Sequence, residues 1–267
     1  MATVHPTAIV EPSVKLADDV TIGPYCVVEG DVVLGPGVRL ESHVVIVGRT
    51  KIGANCHIFP FASIGPRPQD LKYAGEPSEL IIGADNMIRE YVTMHPGTKG
   101  GGMATRVGNH GLFMVGVHVA HDCVVGDNVV MANNATLGGH VVVGDYAVLG
   151  GLAAVHQFVR IGHHAMVGGM SGVEHDVIPY GSVMGDRANL LGLNVIGMRR
   201  RGFSREDIRL LRRAYRLLFA PEGTMAERVS DVAQLFPDNQ AIMDIVEFIG
   251  ADSPRAICQP KDGRADA

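Results

Sequence analysis

Tryptophan is absent from this 267-residue chain, and aromatic residues make up only 5 % of it. An interior built on large rings is therefore not available. Valine is plentiful and glycine stands at 34, which suits narrow stacked strands better than a globular sandwich. The four cysteines show no C-x2-C spacing, so they suggest no metal ribbon. A net charge of −5 and a pI near 6.2 give no basic surplus for nucleic acid. No run approaches the roughly 18 uninterrupted apolar residues of a membrane span, and Met1-Ala2-Thr3-Val4-His5 does not open a basic-then-apolar leader. These absences lead us to expect a soluble cytoplasmic protein with no stable membrane insertion.

What the chain does have is a period of six. Val4, Val10, Leu16 and Ile22 begin a series that runs to Ile64, and Val107, Phe113, Val119 and Val125 begin another that runs to Val173. Neither the 3.6-residue helix nor the two-residue strand produces such a beat, so this is a repeat architecture. Each hexad can supply one short strand and one corner. Three hexads close a triangular coil of 18 residues, and coils stack at the strand spacing of about 4.8 Å. The fold expected is mainly β: a parallel β-helix in which each coil buries its apolar side chains against its neighbours. Cys26, Cys56 and Cys123 fall at the fifth hexad position, beside residues such as Val20 and Val32, and read as small core residues. The second position often holds glycine or an acid (Gly23, Glu29, Gly35, Gly53, Gly65), as expected if it turns the corner at positive φ.

Two insertions interrupt the beat. The first, 66–80, carries three prolines and no period. Loops this long in a tight solenoid usually carry function. The second, 96–106, contains Gly100-Gly101-Gly102, shifts the phase by one residue and reads more as a tolerated surface insertion. The β-helix is expected over 1–185, a small helical domain over 186–256, and a tail over 257–267 that holds Cys258 and frays from about Lys261. Ser204 with Glu206 and Asp207 reads as the start of a helix to about Ala220. On that helix Ile208, Leu211, Tyr215 and Leu218 share one face, and Arg205, Arg209, Arg212 and Arg216 share another. Further helices are expected near 224–235 and 239–249.

Histidines punctuate the second series. Val119, Leu137 and Val155 should lie above one another, and His121, His140 and His156 sit near their corners, at spacings of 19 and 16. Stacking should therefore gather the three on one edge as a ladder. His121, with Asp122 as an acceptor for one ring nitrogen, has the makings of a general base. His140 and the amides around Gly138-Gly139 could stabilise an oxyanion. Three histidines on neighbouring rungs could equally hold Zn²⁺ with an open position, as a hydratase would need.

The segment His118-Val119-Ala120-His121-Asp122 resembles the UDP-N-acetylglucosamine O-acyltransferases of lipid A biosynthesis. So do Gln69-Asp70-Leu71-Lys72-Tyr73, Ala154-Val155-His156-Gln157 and the stretch from Asn194 through Arg199-Arg200-Arg201. The likeness extends to about residue 256. It implies a left-handed β-helix, an exception to the usual crossover hand, assembled as a homotrimer with sites between subunits and needing no metal or organic cofactor. It also implies transfer of an (R)-3-hydroxyacyl group from acyl carrier protein to the 3-hydroxyl of UDP-N-acetylglucosamine. On that likeness His121 is the base, Asp122 its support, Gly139 the oxyanion amide and His140 a sugar contact. Gln69, Asp70, Lys72, His118, His156 and Gln157 contact substrate, Asn194, Arg200 and Arg201 hold the nucleotide, and Gly169 bears on acyl-chain length. The arginine face on the helix is expected to dock the acidic carrier protein.

Two positions depart from the family pattern: Ile196 where an acid is expected, and Arg187 where a histidine is expected. The competing readings are a later N-acyltransferase of the pathway, a zinc-dependent hydratase of the gamma-class carbonic anhydrase kind, and a non-catalytic scaffold. The N-acyltransferase should carry an extra N-terminal domain before the repeats, whereas here they begin at Val4.

Overall fold

A computed structural model describes residues 1–261. Among the described residues three sheets of 11, 9 and 8 strands, parallel except for the last strand of the first, form the sides of a triangular prism, and the coils visit each in turn. Thr21, Arg39 and His57 pair in sequence on the first side, one 18-residue coil apart. On the nine-stranded side Val119 pairs with Leu137 and Leu137 with Val155, the stacking that the spacing predicts. In most two-residue strands the second residue, the beat of the repeat, points inward. Ile46, Ile58 and Ile64 are fully buried. Each such side chain contributes about 2 kcal/mol through removal from water. Cys26, Cys56 and Cys123 are buried as expected, and burial pushes the Cys123 thiol up to about 12.

The corners are built differently from the expectation. The left-handed residue is the fourth of the hexad, not the second: Tyr25, His43, Phe61, Asp122, His140 and Phe158 all have φ between 58 and 66°. Glycine is favoured at the second position because the next coil runs so close. A Cβ on Gly23 would lie 2.8 Å from the Glu41 carbonyl oxygen, and one on Gly150 would lie 2.4 Å from the Gly169 nitrogen. Gly65, with φ of 86°, keeps the originally expected role.

The insertions lengthen two coils. Ser63 pairs with Thr93 and Thr93 with His118, steps of 30 and 25 residues among steps of 18. Both loops end sooner than the sequence suggests, because Glu79–Ile82 and Ala104–Val107 are already strand. At the other end the chain does not pass straight into helices. Gly181–Met184 pairs antiparallel with Asn189–Leu193, closing the eleven-stranded sheet with a hairpin.

Among the described residues four helices follow: α1 Val195–Arg200, α2 Arg205–Leu218, α3 Met225–Leu235 and α4 Gln240–Gly250. The last three start where their caps predict, with reciprocal capping boxes at Ser204/Asp207 and Thr224/Glu227 and an Asn239 cap on α4. Sequence reasoning missed α1, whose cap is Asn194. The buried carboxylate of Asp176 ties this region to the coils, accepting from Arg160 Nε at 2.7 Å and Ser253 Oγ at 2.7 Å. The first residues of the expected tail are not loose. Ile257 bridges to Asp176 and Pro260 to Leu190, and Cys258 is buried between them. The fraying expected beyond Lys261 lies outside the described residues.

Candidate active site

The corner between the nine- and eight-stranded sides gathers the candidate catalytic residues. Val119 ends a strand of the former and Val124 begins one of the latter, so Ala120 to Cys123 form the turn. His121 occupies its third position, and its Nδ1–H donates to Asp122 Oδ2 at 2.8 Å. That bond fixes the tautomer and leaves Nε2 as the acceptor. The Asp122 carboxylate is itself held: the Thr98 N–H donates to Oδ1 at 2.7 Å, and the Thr98 hydroxyl donates to Oδ2 at 2.6 Å. The Asp122 side chain is fully buried and that of His121 is 9 % exposed, so neither is a casual surface polar group.

One coil further on, Gly139 lies under the imidazole. A Cβ there would sit 2.5 Å from His121 Cε1, so only glycine fits. The Gly139 N–H has no acceptor among the described residues. His140 meets His121 edge-to-face with centroids 5.1 Å apart, and its Nε2 stands 3.8 Å from Asp122 Oδ2. Burial lowers the His140 pKa; Asp122 and Asp70 oppose the drop, while His121 and Lys72 add to it. The charges of Asp70 and Lys72, from the first insertion, thus reach the corner. Gln69 and Lys72 are exposed, and Asp70 Oδ1 accepts the Lys72 N–H at 2.9 Å.

His118 precedes the turn on the outer surface of the nine-stranded side, its Nδ1 2.7 Å from Thr93 Oγ1. Burial lowers its pKa, and the neighbouring charge of His121 adds to the effect. His95, not anticipated, packs edge-on against His118 at 5.1 Å and is held neutral by burial down to about 4. Thr98, Thr105 and Arg255 were also missed. Thr105 Oγ1 accepts the Asp122 N–H at 2.8 Å. The one sequence signal for Thr98 was the glycine triplet beside it, read as a surface feature.

The ladder of three histidines does not form as one contact series. Spacings of 19 and 16 put His156, His121 and His140 at the second, third and fourth corner positions. The ring stacked on His140 is Phe158, at 4.4 Å, not His156. His156 and Gln157 lie on the same edge one coil above Gly138 and Gly139, both exposed, and Arg255 Nη2 lies 2.7 Å from His156 Nδ1. A three-histidine zinc site is therefore not assembled. His121, Asp122 and His140 do bring ligand atoms within 4.8 Å of one another, but both Asp122 oxygens are already taken by Thr98 and His121.

The expected nucleotide residues lie elsewhere on the chain. Asn194, Arg200, Arg201 and Ile196 line a hollow of about 700 Å³ on the outer surface of the eleven-stranded side, beside Val148 and Met166. The Asn194 amide donates to the His164 carbonyl at 2.9 Å, and Arg201 donates to the Tyr146 carbonyl at 2.8 Å. Arg187 forms an ion pair with exposed Glu174. Gly169 lies at the corner of the nine- and eleven-stranded sides, where a Cβ would come 3.2 Å from the Gly151 carbonyl oxygen. Within one chain, then, the His121 edge and the Asn194–Arg201 hollow are not brought together, because the prism stands between them.

A protein of Caulobacter vibrioides named acyl-[acyl-carrier-protein]–UDP-N-acetylglucosamine O-acyltransferase is 56 % identical over 259 residues, 97 % of this chain and 98 % of that one. The chain belongs to the UDP-N-acetylglucosamine O-acyltransferase family. The family profile for UDP N-acetylglucosamine O-acyltransferase, domain 2, matches residues 176–258, and that for the bacterial transferase hexapeptide matches 13–48. A similarly named protein of Thermodesulfovibrio yellowstonii is 48 % identical over 97 % of this chain and 100 % of its own. The crystal structure of UDP-N-acetylglucosamine O-acyltransferase from Moraxella catarrhalis superposes with a TM-score of 0.93 at 44 % identity, covering 96 % of this chain and 99 % of that one. The fold is accordingly the left-handed parallel β-helix of this family. The zinc-hydratase reading is set aside, because the curated relatives carry the acyltransferase name.

Proposed function

We infer that this protein transfers an (R)-3-hydroxyacyl group from acyl carrier protein to the 3-hydroxyl of UDP-N-acetylglucosamine, the reaction that opens lipid A biosynthesis. The single observation that carries the residue roles is the His121–Asp122 pair clamped by Thr98 over Gly139. Nε2 of His121 takes the proton of the sugar hydroxyl as its oxygen attacks the thioester carbonyl. The Gly139 N–H, in the coil that packs against the imidazole, donates to the oxyanion of the tetrahedral intermediate. Collapse expels the carrier-protein thiolate, the imidazolium returns its proton to the sulfur, and an ester and a thiol result. Asp122 stabilises the transient imidazolium and keeps its orientation. His140 contacts the sugar, with Gln69, Asp70, Lys72, His118, His156 and Gln157 around it. Gly169, lacking a side chain, leaves room for the acyl chain.

Assembly follows from the separation of the two halves. The nine-stranded side presents Ile9, Val27, Val45, Ser63, Thr93, His118, Thr136, Ala154 and Gly172 outward, with no acid, lysine or arginine among them. The eight-stranded side carries Lys15, Lys51, Arg106 and Arg160. An uncharged face flanked by the His121 edge suits packing against a second copy, and a cyclic homotrimer would bring one subunit's Asn194, Arg200 and Arg201 toward another's His121. The solution mass should be three times the 28.4 kDa of the chain; a monomer active at assay concentration would refute this.

Arg199 of α1 and Arg205, Arg209, Arg212 and Arg216 of α2 ring a hollow of about 370 Å³, and among the described residues Arg209 alone of these is chelated, by Glu206. This is the surface we assign to the acidic carrier protein. Among the described residues no helix is long and apolar enough to cross a membrane, and we propose the cytoplasm as the location because both substrates of the inferred reaction are water-soluble. The test is an assay of the purified protein with UDP-N-acetylglucosamine and (R)-3-hydroxyacyl carrier proteins of several lengths. Transfer to the sugar nucleotide is expected from at least one donor, with a raised KM for the donor alone after charge reversal at Arg205 and Arg216. Absence of transfer from every donor would overturn the reading.

A further inference from the structure

Asp122 is held by a loop that the coil itself does not need. The second insertion runs from the strand at Thr93–Met94 to that at Ala104–Val107, and its short 3₁₀ turn, Lys99–Gly101, begins directly after Thr98. Thr98 gives Asp122 both a backbone and a hydroxyl donor, at 2.7 and 2.6 Å. The hydroxyl shares Oδ2 with His121 Nδ1, so the direction in which Asp122 pulls the imidazole is set jointly by the two. Gly101 closes the other side of the carboxylate, since a Cβ there would come 2.0 Å from Asp122 Cγ. The first insertion holds the second: Glu76 Oε1 accepts the Lys99 N–H at 3.0 Å, and Glu76 Oε2 accepts the Ala74 N–H at 2.8 Å. Glu76 stands four residues after Lys72, in the loop that carries Gln69, Asp70 and Lys72.

We propose that Thr98 is a positioning residue for the base, and that the two insertions work as one clamp, from Glu76 through Lys99 and Thr98 to Asp122 and His121. The proposal rests on the reading of His121 as general base. Gly101 then has a function: it lets the turn approach the carboxylate. The same linkage ties substrate contacts on the first insertion to the orientation of the base. A side chain acting in this way changes turnover without changing ground-state affinity, because the base is displaced from the hydroxyl while the sugar contacts remain.

Thr98→Val is the informative variant. It keeps the backbone donor and the side-chain shape and deletes only the hydroxyl. We expect kcat to fall on the order of 10- to 100-fold, with KM for UDP-N-acetylglucosamine unchanged. Thr98→Ser, which restores a hydroxyl, should recover most of the loss, and Glu76→Gln should show a smaller fall of the same kind. Three outcomes would overturn the clamp: wild-type kcat in Thr98→Val, equal losses in Thr98→Val and Thr98→Ser, or a change confined to KM. His121→Ala measured alongside separates the two claims. If it is inactive while Thr98→Val is normal, the clamp fails and the base reading stands. If it retains full kcat, the base reading fails first.

Discussion

Two edges of the prism are built on one backbone and used differently. Along the corner between the eleven- and nine-stranded sides, Tyr25, His43, Phe61 and Tyr91 stack with centroids 5.0 to 5.2 Å apart, and the three aromatics are about half exposed. Along the corner between the nine- and eight-stranded sides, Asp122, His140 and Phe158 take the same fourth position with the same left-handed φ. The first edge presents its rings to solvent. The second has a covering loop, and beneath it a carboxylate and an imidazole are buried. The repeat supplies a left-handed corner every six residues, and asparagine, aspartate and histidine tolerate it well. On the second edge an insertion shields the corner and donates hydrogen bonds to it, and there the candidate base is found.

Among variants that leave the His121–Asp122 pair intact, the largest effect should come from Gly139→Ala. Its methyl would displace the His121 ring, and kcat should fall on the order of 100-fold with the unfolding temperature little changed. Gln157, in the same corner position one coil above, shows that the backbone there accepts a side chain. A near-normal kcat for Gly139→Ala would break the comparison.

Next is acid stability. His95 lies buried beneath the site with its pKa lowered by burial to about 4, against 6.5 in the unfolded chain, and His118 and His121 face it. The unfolded chain therefore binds the extra proton between these values. Stability should be fully present above pH 6.5 and decline as pH falls toward 4, by up to about 3 kcal/mol. Denaturant titrations at pH 7 and pH 4.5 should show a smaller decline for His95→Leu than for wild type. Equal declines would mean that other groups govern it.

The smallest effect should come from Phe61→Ala on the aromatic edge. It should cost about 1 kcal/mol of stability through lost stacking and leave kcat unchanged. A fall in kcat would show that the two edges are not functionally separate.

The coils, the inward cysteines and three of the four helices were legible because each follows from local rules: a six-residue beat, a small fifth position, a capping residue. The His121–Asp122 pair was legible because neighbours in sequence are neighbours at a corner. The histidines share one edge as the spacing predicts, but a difference of one or two residues from the 18-residue step moves a side chain to another corner position and takes His156 out of contact with His140. Thr98 was invisible because a loop of irregular length brings it 24 residues back onto Asp122, and no period records that return. The separation of Asn194, Arg200 and Arg201 from His121 is likewise a property of the three-sided prism, not of sequence distance.

The most direct measurement is kcat for acyl transfer by His121→Ala against wild type, at saturating UDP-N-acetylglucosamine and with equal unfolding temperatures verified. The account predicts a fall of at least about 100-fold; turnover within about threefold of wild type, an effect far below that of a lost general base, would contradict it.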